Sequence, residues 1–166
     1  IPFINGIDDI VQSRLKAYAE EHNQPVKETN ILFLSYQSTR FAPKFDDSLK
    51  FNDHVGVLIC SSKTRYSYTF WDDINVVDKE QTENWQPFGN VYYFYYEINS
   101  NNYFVPCNTF RACVENYRFA KINNGRLMTS MGNWKTPYTS SFTAFKSYLN
   151  SRLWFNVNYD YVDLEK

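Results

Sequence analysis

The sequence predicts an α+β fold: mainly antiparallel β, as a sheet or sandwich, with an N-terminal helix and a C-terminal helix. Three observations carry this expectation. Apolar residues recur at helical spacing near the two ends. Between them lie short segments rich in aromatic and β-branched residues, several of which alternate apolar and polar. Polar turns of hairpin length, SKT (62–64), NSNN (99–102) and NNG (123–125), join several of these segments.

The first element is a helix over 7–22, with Ile7, Ile10, Val11, Leu15 and Tyr18 on one face. Asn5 is its expected cap, Asp8 and Asp9 suit the positive end of its dipole, and Pro25 closes the segment. Strands follow at 31–36 (ILFLSY), 54–62 (HVGVLICSS) and 65–71 (RYSYTFW), the last two forming a hairpin about SKT. The next, 91–98, contains five consecutive aromatic residues, Tyr92 to Tyr96. In a strand, Tyr92, Phe94 and Tyr96 point one way and Val91, Tyr93 and Tyr95 the other. One face lines a core, and the other is expected under a helix or a second sheet, because bare rings on that scale invite aggregation. Strands at 102–106, 112–122 and 126–130 continue the series, the last two paired about the Asn-Gly turn. The tail returns to helical period over 140–154, with Phe142, Phe145, Leu149 and Leu153 on one face and Thr139 or Ser140 as cap. An alternating strand over 155–163 ends the chain. Residues 37–52, 72–89 and 131–139 are read as loops.

The 166 residues suit one domain, with no internal boundary or repeat. Because the chain starts at Ile1, it is expected to be excised from a longer parent. Aromatics make up 19% of the residues, so rings must supply much of the buried surface. A net charge of −1 leaves no cationic surplus for a phosphate backbone, and nucleic acid is not an expected partner. No apolar run is long enough to insert in a membrane. The three cysteines, Cys60, Cys107 and Cys113, are read as free and mostly buried, since an odd number does not make a disulfide framework; Cys107 and Cys113 could pair if CNTFRAC is a loop, but not if it is a strand. No Asn-x-Ser/Thr sequon occurs, which points away from glycosylation.

Catalytic patterns are thin. His22 and His54 are far apart in sequence, no His/Cys spacing suits a metal, and the five glycines form no phosphate loop. No catalytic residue, metal or cofactor is expected. The acidic pair Asp72-Asp73, followed by Asp78, Glu80 and Glu83, is read first as a solvated loop and second as a metal-dependent hydrolase site. The stronger pattern is aromatic plus amide. Sugar recognition needs flat rings for the apolar face of a saccharide and short polar groups for its hydroxyls. The segments ENWQPFGN (83–90) and MGNWKTPY (131–138) supply both. Trp85, Trp134 and Tyr138 are the expected stacking platform, with Asn133, Arg126 and Arg65 as hydrogen-bond donors, whereas Trp71 and Trp154 are assigned to the core. The same rings could stack bases, so a phage or plasmid protein binding single-stranded nucleic acid is the alternative.

Over about the last quarter of the chain, the succession NNGRLMTS, MGNWKTPYTS, SFTAFKSYLNSRLW and FNVNYDYVDLE resembles the end of the glycan-binding head of the rotavirus outer-capsid spike protein. The resemblance implies a galectin-like β-sandwich, release from a larger spike protein, and attachment of a virion surface to host glycans. The helix over 7–22 has no counterpart in it. No sugar-contacting residue is carried over, so the six named residues rest on the stacking argument alone.

Overall fold

The computed structural model describes residues 1–96, 108–130 and 143–159. Four strands form one sheet: β1 (Ile31–Ser35), β2 (Val55–Cys60), β3 (Asn90–Tyr95) and β4 (Gly125–Ser130), in the order β1-β2-β3-β4. Every pair is parallel, with Val57 beside Phe33 and Val91, and Tyr93 beside Met128. The helices are α1 (Pro2–Glu21), α2 (Val76–Trp85), α3 (Phe110–Ile122) and α4 (Thr143–Phe155). This is an α/β fold. It replaces the expected antiparallel sheet or galectin-like sandwich, and each strand is reached by a crossover rather than a hairpin.

The four strands lie where strands were expected, but two further expected strands, over 65–71 and 112–122, do not form, and the connections differ. The segment RYSYTFW is a turn-rich loop, not a hairpin partner of β2. Asn75 holds it in shape: its Oδ1 accepts the Arg65 N–H at 2.9 Å, and its Nδ2 donates to Thr69 O at 3.0 Å. The expected strand over 112–122 is α3, which buries Cys113, Asn116, Tyr117 and Ala120 along one helical face. Asn124, at φ 57°, turns α3 directly into β4, so the NNG signal marks a helix-to-strand turn. The expected loop over 72–89 contains α2. The strand expected over 102–106 lies outside the described residues. Of the strand expected over 155–163, Phe155 ends α4, residues 156–159 are turn, and the rest lies outside the described residues.

All helices that reach the core cover the same face of the sheet. Val55, Val57, Ile59, Val91, Tyr93, Tyr95 and Met128 are buried there with Trp85 of α2, Val114, Tyr117 and Phe119 of α3, and Leu149 and Leu153 of α4. Helix α1 begins at Pro2, whose fixed φ suits a first helical position. Asn5 therefore sits inside the helix, not at its cap. Its Nδ2 donates to Lys50 O at 2.9 Å and its Oδ1 accepts the Asn52 N–H at 3.1 Å. Buried Asp8 accepts from Asn52 Nδ2 at 3.1 Å, so polar contacts anchor this helix to the segment leading into β2.

Gly125 fixes how closely β4 can approach α3. A Cβ there would stand 2.7 Å from Ala120 O and 2.9 Å from the buried Tyr93 ring, neither of which can move aside cheaply. Gly125→Ala is expected to cost about 1–3 kcal/mol, read as a lower denaturation midpoint at unchanged slope.

Candidate functional site at the C-terminal rim of the sheet

A parallel sheet delivers all its strand C-termini to one rim, and α/β proteins bind their ligands there. At this rim β1 runs out into Tyr36 and Gln37, β2 into Ser61–Tyr66, and β3 into Tyr96. Register places Cys60, Phe94 and Thr129 side by side across β2, β3 and β4. Strand alternation puts Tyr36, Cys60, Phe94 and Tyr96 on the face opposite the helices. The Phe94 and Tyr96 rings meet edge to face, with centroids 4.8 Å apart. Burial raises the Tyr96 phenol above its ordinary value, and the neighbouring Cys60 and Tyr36 add to the rise. Burial also pushes the Cys60 thiol up, so it stays protonated at neutral pH.

Two hydrogen-bonded devices hold this rim. Tyr66 is buried; its hydroxyl donates to Ser61 O at 2.5 Å and accepts the Tyr96 N–H at 2.9 Å, tying the exit of β2 to the end of β3. Past β1, Gln37 adopts φ 48°, an uncommon left-handed conformation for its type. Thr39 Oγ1 lies 2.7 Å from Leu34 O and accepts the Tyr36 N–H at 3.2 Å, while Ser35 Oγ donates to Arg40 O at 2.8 Å. Below the turn, Arg40 Nη2 pairs with Asp78 Oδ1 at 2.7 Å and Arg40 Nε donates to Gln81 Oε1 at 3.0 Å. Gln81 in turn donates to Ser35 Oγ at 2.7 Å. Strained backbone persists only where its surroundings over-determine it, as these bonds do.

Of the residues expected to bind sugar, the three that are described, Trp85, Arg126 and Arg65, do not come together. Trp85 is not on a loop tip. It ends α2, is 3% exposed, donates from Nε1 to Arg40 O at 2.9 Å, and packs among Phe33, Phe51 and Phe88. Trp71 and Trp154, assigned to the core from the sequence, are instead exposed. Arg126 stands at the N-terminal rim, where its Nε donates to Asn90 Oδ1 at 3.0 Å. Arg65 belongs to the loop after β2, at the C-terminal rim. The length of a strand, roughly 17–20 Å, separates the two arginines. Trp134, Asn133 and Tyr138 lie outside the described residues.

The sequence reading missed Tyr36, Phe94 and Tyr96. The alternation through 92–96 did place Phe94 and Tyr96 on one face, but only the parallel direction of the strands identifies which end of that face is the rim.

The acidic segment is accounted for by local structure. Asp72 Oδ2 accepts from Thr69 N at 2.6 Å, Asp78 pairs with Arg40, and Glu83 lies 3.8 Å from Lys79 Nζ. Among the described residues, no group of three His, Cys, Asp or Glu is close enough to hold a metal. His54 and Cys60 bracket β2 at opposite rims and cannot form a catalytic pair. Cys113 is buried, with Sγ 3.7 Å from Asn150 Oδ1, and Cys107 lies outside the described residues.

No curated protein and no solved structure matches this chain. One family model does, over residues 15–166, and with that span the chain belongs to the family described as a domain of unknown function, DUF4838.

Proposed function

We propose that the domain binds a carbohydrate at the C-terminal rim of its sheet, through Tyr36 and Tyr96 as stacking surfaces and Arg65 as a donor to sugar oxygens. The observation that carries this reading is the grouping of Tyr36, Phe94 and Tyr96 at the one rim where parallel sheets take ligands. Two tyrosines offer flat apolar rings with hydroxyl tips, the combination a saccharide requires. Arg65 is exposed, and because Asn75 fixes its backbone, its side chain is free to serve a ligand. The reading keeps the ligand class that the composition suggested and moves the site away from Trp85 and Arg126. A role in virion attachment gains no support from the α/β fold, so the proposal stops at saccharide binding.

A glycan array on the 166-residue chain, followed by titration of the best ligand, tests it. Tyr96→Ala is expected to weaken binding about tenfold, the equivalent of one stacked ring. Its backbone N–H, which holds Tyr66, is untouched by the change, so the circular dichroism spectrum should not alter. Failure of the unsubstituted chain to retain any glycan, or full binding by Tyr96→Ala, defeats the proposal.

A further inference from the structure

Among the described residues, only one face of the sheet is covered. On the other, Leu34, Leu58, Tyr92 and Leu127 form a continuous row across all four strands, by register. Leu34 is 53% exposed and Leu127 52%, while Leu58, Tyr92 and Phe94 are half-buried only by their neighbours. Apart from Arg126 at the N-terminal rim, the four strands place no charged residue on this face. An apolar parallel sheet open to water on one side is rare, because parallel sheets are ordinarily buried on both faces. Among the described residues, the outer edges of β1 and β4 also have no strand partner.

We propose that a second copy of this chain covers this face, so that two four-stranded sheets close into one eight-stranded parallel barrel. The strand order itself points to a copy. With β1 and β4 as the two edges and every strand parallel, a two-fold axis along the strands sets each β4 beside the partner's β1 in the parallel sense. The same rotation closes both seams and leaves no edge. Four strands from each copy make eight, the number at which a barrel interior is just filled by side chains. The row of three large residues and Leu58 would then supply one half of that filling.

The helical side is prepared at both seams. Beside β1 lies an apolar groove of about 500 Å³ lined by Ile4, Phe33, Phe41, Phe51 and Trp85. Beside β4 a second groove, of about 160 Å³, is lined by Leu127, Leu153, Trp154 and Val157. Trp154 and Phe155 at the end of α4 are exposed, the latter by 92%. Closure brings the β4-side surface of one copy against the β1-side groove of the other.

This inference does not rest on sugar binding, and its test reads mass. Light scattering on the chain at micromolar concentration should give twice 19.8 kDa. Leu34→Glu and Leu127→Glu together should convert it to a monomer. Both side chains stand half-exposed in a single copy, so the helical circular dichroism signal should survive. Hydrogen exchange gives a second reading: the outward amides of β1 and β4 should be protected in the unsubstituted chain and lose at least tenfold of that protection in the double variant. A monomeric unsubstituted chain overturns the proposal, as it would if further βα units on a longer polypeptide were the occupant. So does a dimer indifferent to the two glutamates, or an open-ended series of larger oligomers.

Discussion

Trp85→Ala is expected to destabilise the domain by about 3–5 kcal/mol, lowering the melting temperature on the order of 10 °C. The indole sits in the centre of an aromatic group, stacked on Phe51 with centroids 6.0 Å apart and 11° between planes, and tilted against Phe88 at 5.6 Å. Removing it leaves a cavity that rigid neighbouring rings cannot collapse into. It also strips Arg40 O of the Nε1 donor at 2.9 Å. Urea denaturation followed by fluorescence measures the loss. A folded, fully stable Trp85→Ala chain would contradict the core position and revive an exposed ring at residue 85. Trp85→Phe restores part of the packing but not the hydrogen bond, and should fall between the two.

Arg40→Met is expected to cost about 3 kcal/mol at neutral pH, because it leaves Asp78 buried without its partner. The magnitude depends on pH in a direction the site dictates. Burial raises the Asp78 carboxyl above the ordinary range, and the Arg40 guanidinium pulls it partly back. A carboxyl raised in the fold contributes its stability below the unfolded value of about 3.9 and loses it as pH climbs through the folded value. Without Arg40 the rise is larger. The penalty of Arg40→Met should therefore be greatest near pH 7 and shrink on acidification toward about pH 4. Denaturation of both chains across that range checks it; a penalty independent of pH would show that lost packing of the arginine stem, not the charge on Asp78, is responsible.

All four strands could be read from the sequence: ILFLS, VGVLIC and NVYYFY are short runs rich in β-formers, and GRLMTS was marked by the Asn-Gly turn before it. The two terminal helices carried visible apolar periods. The central helices did not. The inward face of α2 consists of Asp78, Gln81, Thr82 and Trp85, at spacings of three, one and three. That is a helical period written mostly in polar residues, so hydropathy cannot show it. In α3, Tyr117, Phe119 and Val114 bring β-propensity to a helix, and tertiary burial overrides it. One cue to strand direction was present. β2 reads VGVLIC, with no polar residue alternating, as a strand buried on both faces does.

The candidate site was less legible than the fold. Composition pointed to rings and polar groups, and several of these do occupy one rim. Which rings was decided by burial: a tryptophan in a polar, proline-containing segment looks exposed until Gln81, Arg40 and Ser35 are seen bonded to one another beside it. Arg65 and Arg126 look equivalent in sequence, yet parallel strands send them to opposite rims.

The sequence by itself determined the four strand segments, though not which other candidates were strands, together with the terminal helices and the abundance of aromatic side chains, because β-propensity, helical periodicity and residue type are local properties. Only the tertiary structure decided that the strands run parallel, that Trp85 is inside while Trp71 and Trp154 are not, and that, among the described residues, one apolar face is left open. Those outcomes depend on which segments meet across long crossovers, and the free energy that selects them comes from contacts between residues far apart in the chain.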